Sequence, residues 1–592
     1  MLPFTSFLFH PRRRSTVDAE GAARALGHTR CSCRHPSVSM MSSAALDSDD
    51  PSPAPSSHPR LRVARLGAVV VLALAGGCSS SSGEVASPSA SPPPGEPSVE
   101  PTDPGPSTQG PARAQENDPP KNCAPASNPA DGTDVTVTVR TNVGPHGASA
   151  PVSTDRRLYG MNIADWVPED YSPNIGPAYL ALLRALNPGV LRWPAGHRSQ
   201  EYRWSRGGDG QRGNWTLYPA DVDAFMGLVH AAGTEPLIGI NVKTGTPAAA
   251  QDLVRYLNIE KGYGVRYFQI GNEPDLVDGI TPSPEVYADE LIAFTDAMRA
   301  VDPSIRVIGP ELLTGAHVGG MQGTRDWMTP ILGRAGDRID GISWHYYPLD
   351  SGQPSPTSGA TLTEAHLFQE SADDWRPAGL AFADEVMPAL ASLRNKYAPH
   401  AEIWITELGE DPGPAAGLGL SDTLAAGLWV GDVLGRYAEY GPGAVFRWIF
   451  KSGPEHGYSL LDPNDRPKAA YGAYWLYAAH FGDRFVDSES SALTQVAVHA
   501  ALRSDGAVTV ALVNKSIESR KVHLALDGAC VSSASQLTLS GPSLSGGSFD
   551  VNGRSLTADT ASAGIEPASV SSDVLFDTEL PPSSMRVLVY RP

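Results

Sequence analysis

Cysteine, long apolar runs and internal repeats are all scarce in this sequence. Only 5 of the 592 residues are Cys, which leaves room for few disulfides. The apolar run from Leu66 to Ala75 is too short to span a membrane. No repeat at the period of a solenoid or a propeller is visible. A chain of this length is instead long enough for two or more separate cores.

The chain is also short of positive charge. It carries 45 Lys and Arg against 65 Asp and Glu, a formal net charge of −20. Such an acidic chain disfavours nucleic acid or anionic lipid as the main partner, because both are polyanions. A neutral polysaccharide or oligosaccharide would not be repelled. A polyanionic one would need a local basic patch.

The first 77 residues contain an export signal. Three arginines precede the apolar run, which is followed by Gly76-Gly77-Cys78-Ser79-Ser80. A basic flank, a short apolar core and small residues are typical of a secretory signal. The cysteine makes it similar to a bacterial lipoprotein signal, which implies a lipid anchor on Cys78; an ordinary cleaved signal is the alternative. Residues 1–59 fit no signal, and we expect translation to start near Met40 or Met41.

This interpretation leaves one pair of cysteines. If Cys78 carries lipid and the upstream cysteines are removed, Cys123 and Cys530 remain. An even pair in an exported chain suggests a disulfide, which would tie the start of the folded region to its end. Two free buried thiols are the alternative. We therefore expect an exported protein, either membrane-anchored through lipid or secreted.

Composition and periodicity divide the rest of the chain. Residues 78–128 are rich in Ser and Pro and too poor in apolar residues to fold, so we expect a disordered tether. From 155 to 482, strand-like and helix-like stretches alternate. The strand candidates are Leu158–Asn162, Val190–Pro194, Pro236–Val242, Val265–Gly271, Arg306–Pro310, Gly341–Tyr347, Glu402–Glu407 and Ala444–Phe450. The helical candidates include Ala220–Ala232, Ala248–Leu257, Glu285–Val301, Asp422–Tyr440 and Ala469–Phe481.

Eight such units favour a closed (β/α)₈ TIM barrel over a doubly wound sheet, which also alternates. After Phe481 the apolar residues follow a period of two, which indicates an all-β sandwich over residues 483–592. Val135–Arg140, in the segment 129–154, is expected to join it. The sequence thus predicts an α/β fold with a barrel over 155–482 and a C-terminal β domain.

Polar and aromatic residues collect where the predicted barrel strands end. Active sites of such barrels form at these carboxyl ends. Two of the residues are glutamates, Glu273 in Gly271-Asn272-Glu273-Pro274-Asp275 and Glu407 in Trp404–Gly409. Two carboxylates on one rim can flank a single bond, as glycoside hydrolysis requires. The other rim residues are Arg192, Trp193, Asn241, Lys243, Asn272, Trp344, His345, Tyr346, Tyr347, Arg447 and Trp448.

Asn-Glu-Pro after the fourth strand and Glu after the seventh resemble clan A, the retaining glycoside hydrolases built on (β/α)₈ barrels. The resemblance implies that Glu273 is the acid/base and Glu407 the nucleophile. It implies substrate-binding or supporting roles for five further residues: Asn272 at the sugar 2-hydroxyl, Arg192 beside the nucleophile, the strand-six pair His345 and Tyr347, and Trp448 under the sugar. The clan often has a His after strand three, where this chain has Asn241.

The sequence therefore predicts an exported glycoside hydrolase that cleaves β-glycosidic bonds by double displacement, without a cofactor or a catalytic metal. The run Leu191–Gly196 is similar to family 44 endoglucanases and xyloglucanases, which slightly favours β-glucans. Xylosidases, arabinofuranosidases and glucuronidases of families 39, 51 and 79 are alternatives. A carbohydrate-binding surface lipoprotein without activity is the rival from another class, and an inverting or transglycosylating enzyme is the rival mechanism.

Overall fold

The computed structural model of the chain describes residues 129–592 apart from ten short gaps. The gaps are 168–169, 172–174, 207–214, 277–280, 314–317, 319–324, 350–362, 372–378, 412–418 and 453–457. The predicted signal and tether, with Cys78 and Cys123, lie outside the described residues. Among those described, no helix combines the length and the apolar character that crossing a membrane requires.

Strands and helices alternate through most of the described chain. The strands are β1 (Val135–Arg140), β2 (Val152–Ser153), β3 (Gly160–Asn162), β4 (Val190–Trp193), β5 (Arg203–Trp204), β6 (Thr216–Leu217), β7 (Glu235–Ile240), β8 (Tyr267–Ile270), β9 (Arg306–Leu312), β10 (Gly341–Tyr346), β11 (Glu402–Leu408), β12 (Ala444–Arg447), β13 (Arg484–Ser490), β14 (Val496–Leu502), β15 (Val508–Asn514), β16 (Arg520–Asp527), β17 (Ser533–Ser540), β18 (Asp550–Val551), β19 (Ala568–Val570), β20 (Asp577–Leu580) and β21 (Ser584–Arg591). The α-helices are α1 (Pro177–Ala185), α2 (Pro219–Ala232), α3 (Pro247–Val254), α4 (Pro284–Arg299), α5 (Met328–Ala335), α6 (Phe382–Tyr397), α7 (Leu424–Ala438), α8 (Ala469–His480) and α9 (Ala558–Ala563).

Eight parallel strands close into a barrel in the order β3-β4-β7-β8-β9-β10-β11-β12, which confirms the predicted (β/α)₈ fold. Its lower interior is filled by a layer of apolar side chains from six strands: Val190, Leu237, Tyr267, Ile308, Trp404, Ala444 and Phe446. Side chains along a strand alternate between its two faces. Arg192 and Gln269, two residues beyond members of this layer, therefore also face the interior, one layer nearer the carboxyl ends of the strands.

The C-terminal β domain forms one curled, mostly antiparallel sheet, in the order β18-β17-β21-β15-β14-β13-β1-β16-β20. Strand β1 precedes the barrel in sequence and pairs with β13 and with β16. Alternate residues of β1 are buried, because one face of the strand covers the core of this domain. Cys530 is disulfide-bonded; its predicted partner, Cys123, is not among the described residues.

Helix α7 lies between the barrel and the β domain, and every one of its residues is buried. Its side facing the β domain needs a small residue where strand β14 passes. A Cβ atom added to Gly435 would lie 2.2 Å from the ring of His499. Only glycine therefore allows the approach that brings His499 against charged residues of the helix.

Candidate active site

Glu273 and Glu407 meet at the carboxyl ends of the barrel strands. Glu273 follows β8 and Glu407 lies within β11, so the parallel barrel places both on the same rim. One carboxylate oxygen of each residue and one ring nitrogen of His345 all lie within 4.8 Å of one another. Both carboxylates are buried. Glu273 also has a φ of 45°, a left-handed conformation that non-glycine residues adopt at a cost, typically at functional sites.

Arg192 connects the two halves of this site. It is fully buried on β4, and its Nη1 donates to Glu407 Oε1 at 2.7 Å. The same nitrogen donates to Asn162 Oδ1 at 2.7 Å, and Nη2 donates to Asn272 Oδ1 at 2.6 Å. Its Nε donates to Gln269 Oε1. Arg192 thus holds the carboxylate of Glu407 and the amide of Asn272 in fixed positions.

The contact with Arg192 also fixes the orientation of the Asn272 amide. A guanidinium can only donate hydrogen bonds, so the atom that faces Arg192 must be Oδ1. The amide nitrogen Nδ2 is therefore directed elsewhere. It is buried and has no hydrogen-bond partner among the described residues. A buried donor without a partner costs stability, which makes it a natural contact for a ligand hydroxyl.

Tyr347 contacts Glu407 from the other side. Its hydroxyl donates to Glu407 Oε2 at 2.5 Å. Burial, and then the charge of Glu407, raise the pKa of Tyr347 well above its ordinary value, so the phenol keeps its proton and remains a donor. Glu407 therefore receives one charged donor and one neutral donor, a set that stabilises a negative carboxylate.

His345 lies between three carboxylates. Its Nδ1 is 2.8 Å from Glu273 Oε1 and 3.5 Å from Glu407 Oε2, and its Nε2 is 3.1 Å from Glu311 Oε2. Burial alone lowers the pKa of His345. The charge of Glu407 and the hydrogen bonds to Glu273 and Glu311 outweigh burial and raise this pKa to about 10. His345 is therefore an imidazolium at neutral pH, and both of its nitrogens donate.

Glu311, the last of these carboxylates, did not emerge from the sequence. It lies near the end of β9, is fully buried and has a φ of 59°. Burial raises its pKa, but the charges of Arg192 and His345 dominate and leave the pKa below its ordinary value. The signal was available, because Glu311 directly follows the predicted strand Arg306–Pro310. A survey of the rim that included strand five would have found it.

Aromatic side chains cluster around Trp448 at the rim of the barrel. Trp448 follows β12, and its ring centroid lies 6.2 Å from that of Trp166 and 6.0 Å from that of Tyr458. Gly196, with a φ of 62°, leaves no space for a side chain, because a Cβ there would lie 2.6 Å from Trp448. The sequence had indicated Trp448 but neither Trp166 nor Tyr458.

Other rim residues from the sequence have structural roles. Trp193 is fully buried and stacks on Phe225 outside the barrel, at a centroid distance of 4.8 Å. Asn241 donates to the backbone of Tyr202 at 2.6 Å and to the Thr244 hydroxyl at 2.7 Å, which fixes the turn after β7. Arg447 pairs with Glu410 at 2.6 Å in the protein interior.

Glu273, His345 and Glu407 also have the donor types and the spacing of a metal site. An imidazolium offers no lone pair to a metal ion, and His345 uses both ring nitrogens for carboxylates. Hydrogen bonds to carboxylates therefore occupy the ring nitrogens that a metal ion would need.

The chain is similar to known proteins in both sequence and fold. No family model matches. The "Intracellular exo-alpha-L-arabinofuranosidase" of Bacteroides ovatus is 25% identical over 294 residues, which are 43% of this chain and 54% of that protein. The chain thus spans about half of that relative's length. "Alpha-L-arabinofuranosidase C" of Emericella nidulans is 24% identical over 411 residues, 59% of this chain and 77% of that protein.

Solved structures share the architecture. An α-L-arabinofuranosidase from Thermotoga maritima aligns over 77% of this chain and 99% of its own, with a TM-score of 0.59 and 18% identity. A family 44 xyloglucanase from Paenibacillus polymyxa aligns over 77% and 99%, with a TM-score of 0.54 and 17% identity. These likenesses concern the fold. Together with the sequence relatives, they make the chain similar to arabinofuranosidases and to a xyloglucanase, with which it shares the (β/α)₈ barrel and the C-terminal β domain.

Proposed function

We propose that this protein hydrolyses glycosides by a retaining double displacement, with Glu273 as acid/base and Glu407 as nucleophile. The observation that carries the proposal is the approach of the two carboxylates, one oxygen of each lying within 4.8 Å of the other. Retaining enzymes hold their carboxyl groups about 5–5.5 Å apart, and inverting enzymes about 6.5–9.5 Å. An inverting mechanism would need a wider gap, with room for a water molecule between the base carboxylate and the sugar.

The charges of the site support this division of roles. Arg192 and His345 carry two positive charges, and Glu311 and Glu407 balance them when both are ionised. Arg192 and Tyr347 donate to Glu407, so it can attack as an anion. A third anion at Glu273 would leave an uncompensated buried charge. Electroneutrality is restored if Glu273 carries a proton, as a general acid must.

In the first step, a carboxylate oxygen of Glu407 bonds to the anomeric carbon while the bond to the leaving group breaks. Glu273 gives its proton to the departing oxygen, and the sugar stays bound to Glu407 as an ester. In the second step, Glu273 takes a proton from water, whose oxygen bonds to the anomeric carbon and displaces Glu407. The amide Nδ2 of Asn272 is available to a sugar hydroxyl throughout.

For the substrate we propose α-L-arabinofuranosides first. The sequence relatives named above are α-L-arabinofuranosidases, whereas the sequence motif Leu191–Gly196 had favoured β-glucans. A β-glucan backbone remains the second candidate, supported by the likeness of fold to a xyloglucanase. Incubation of residues 129–592 with three kinds of substrate distinguishes the two candidates. These substrates are an aryl α-L-arabinofuranoside, aryl β-glycosides and xyloglucan. Release of arabinose alone supports the first, and shortening of xyloglucan supports the second.

The two glutamates are tested with Glu273→Gln and Glu407→Gln, each of which should lower kcat by at least about 10³-fold. Glu402→Gln is the matched control, because Glu402 begins the same strand as Glu407 at the opposite end of the barrel. Azide should rescue Glu407→Ala by giving a glycosyl azide of inverted anomer, and Glu273→Ala by giving the retained anomer. Full activity of either Gln variant would exclude the proposed roles.

We also propose that the chain is exported and anchored through lipid at Cys78. The support is the sequence pattern: a basic flank, the short apolar run Leu66 to Ala75 and the small residues around Cys78. Cys78→Ala should move the protein from the membrane fraction to the soluble fraction of its host, and mass spectrometry should find lipid on Cys78 only in the wild type. If Cys78 carries no lipid, the anchor is refuted, and an ordinary cleaved signal with secretion of the protein is the remaining alternative.

A further inference from the structure

The two-step hydrolysis requires Glu273 and Glu407 but assigns nothing to Glu311. This carboxylate is fully buried beneath the other two. Its Oε2 lies 3.1 Å from His345 Nε2 and 3.4 Å from Arg192 Nη2. Its backbone carbonyl accepts the N–H of Glu273 at 2.9 Å. Glu311 is therefore joined to the acid/base by its backbone and, through His345, by its side chain.

The backbone around Glu311 holds this arrangement in place. Its N–H donates to the hydroxyl of Ser343 on β10 at 3.0 Å. Glu311 and Glu273 both have a positive φ, which at non-glycine residues is kept only where surrounding contacts fix it. Both carboxylates that bind opposite nitrogens of one imidazole ring thus lie on strained backbone.

We propose that Glu311 is a positioning residue that keeps His345 doubly protonated, so that His345 donates to Glu273 and leaves the acid's proton for the leaving group. This inference rests on the function proposed above. Without the anion at Nε2, His345 would lose a proton and Nδ1 would become an acceptor. The proton of Glu273 would then be shared with Nδ1 instead of pointing at the glycosidic oxygen.

The charges around the ring are consistent with this role. His345 faces Glu273 after β8, Glu311 on β9 and Glu407 on β11. Glu407 loses its charge when it bonds to the sugar, and Glu273 must alternate between acid and base during turnover. Glu311, which has no solvent contact, is the one anion whose charge can remain constant through both steps. Glu311 therefore keeps an anion at Nε2 throughout, whereas the charge of Glu407 supports the protonated ring only before the first step.

The kinetic test compares Glu311→Gln with the wild type on two glycosides of the same sugar. A dinitrophenyl group leaves without a proton, whereas an alkyl group needs one. We expect kcat/KM to fall about 10²-fold for the alkyl glycoside and less than about threefold for the dinitrophenyl glycoside. The basic limb of the alkyl pH profile should move to lower pH. Glu311→Asp keeps the charge and should retain more of the alkyl activity.

Glu410→Gln is the matched control, because Glu410 is equally buried and ion-paired but contacts Arg447 rather than His345. Glu410→Gln should change kcat/KM by the same factor for both glycosides and leave the pH profile unchanged. The same equal loss in Glu311→Gln, or no loss at all, would overturn the positioning role. Absence of hydrolysis by the wild type would count against the proposed function alone.

A measurement without turnover decides the inference even if a variant fails to fold. Nitrogen-15 NMR of the wild-type protein, with the His345 signals identified through His345→Gln, reports the protons on each ring nitrogen. We expect two protons on His345 at about pH 8, where an ordinary histidine is neutral. Glu311→Gln, where folded, should show one. A singly protonated His345 in the wild type would refute the proposal.

Discussion

The barrel mouth and the interface between barrel and β domain each bury a network of five charged residues. The mouth network consists of Arg192, Glu273, Glu311, His345 and Glu407. The interface network consists of Asp432, Arg436, Glu439, His499 and Lys515. Each contains a histidine between carboxylates, with a pKa of about 10 for His345 and about 9 for His499. The mouth network has three carboxylates and two basic residues, whereas the interface network has two carboxylates and three basic residues, with Glu439 partly exposed.

They differ in how completely their hydrogen bonds are used. In the interface network, Asp432 accepts from Arg436 at 2.6 Å, from Lys515 at 2.8 Å and faces His499 at 3.4 Å. Among the described residues, no side-chain atom of the interface network is buried without a hydrogen-bond partner. At the mouth, the Oε1 of Glu311 and the neighbouring Nδ2 of Asn272 are buried without a partner in the described part of the chain.

Backbone strain follows the same division. Glu273 and Glu311 have positive φ angles, whereas no member of the interface network does. A network that only stabilises the fold can satisfy every group and relax its backbone. A network that binds a ligand keeps groups aimed at that ligand, and the rest of the fold offsets the cost. Polar atoms without a partner among the described residues and strained carboxylates, rather than buried charge, therefore distinguish the mouth network from the interface network.

The sharpest test exchanges the arginine of each network for methionine. Arg192→Met removes donors to Glu407 and to Asn272, each worth about 10²-fold, so kcat/KM should fall about 10⁴-fold, or about 5.5 kcal/mol. Arg436→Met should leave kcat/KM within about threefold, because its ion-pair partners, Asp432 and Glu370, are not members of the mouth network. Steady-state kinetics of the folded variants measures both. Equal losses would remove the distinction between the networks.

The next largest effect concerns stability. Asp432→Ala leaves Arg436 and Lys515 buried without their central anion, and the free energy of unfolding should drop by about 3 to 5 kcal/mol. Denaturant titration followed by fluorescence measures the change. Asp296→Ala is the control, because the exposed pair of Asp296 with Arg338 contributes about 0–1 kcal/mol. A drop no larger than that of the control would mean that the interface network does not stabilise the fold.

The smallest effect is a dependence of stability on pH. The pKa of His499 is raised from 6.5 to about 9, because Glu439 and Asp432 outweigh burial. Its contribution is therefore complete below pH 6.5 and is lost as the pH rises through about 9, by roughly 3 kcal/mol at most. The raised pKa of His345 also makes stability fall as the pH rises. His499→Gln should reduce this loss of stability without affecting kcat, whereas His345→Gln should reduce the loss and also lower kcat.

A pH profile of unfolding that is unchanged in His499→Gln would contradict the assignment of the positive charge to His499. Arg436, Lys515 and, beyond Glu439, His146 also face this cluster. They enter the comparison equally in the wild type and in the variant, so the difference between the two profiles isolates His499.

Much of the barrel was readable from the sequence because its signals are local. Strand β4 was expected over Val190–Pro194 and is found over Val190–Trp193. Helix α8 was expected over Ala469–Phe481 and ends one residue earlier. Helix α6 was not among the sequence candidates, and Pro388 inside it weakens the helical pattern. A buried strand or an amphipathic helix repeats its apolar residues over one short segment, which makes such elements visible without an alignment.

The candidate site was readable only in part. Glu273 and Glu407 follow buried strands in distinctive contexts, but which of the rim residues touch one another depends on the closure of the barrel. Trp193, beside Arg192 in sequence, faces outward and packs in the core, because neighbouring residues of a strand point to opposite faces. Trp166 and Tyr458 lie on loops whose course the sequence pattern does not define.

The sequence by itself determined which chemical groups end each strand, since periodicity and strand boundaries are properties of neighbouring residues. The tertiary structure alone decided that the carboxylates of Glu273 and Glu407 approach within 4.8 Å, that Glu311 lies beneath them and that His345 is charged. Distances between strands far apart in the chain, and the electrostatic environment those distances create, arise only when the barrel closes and excludes water.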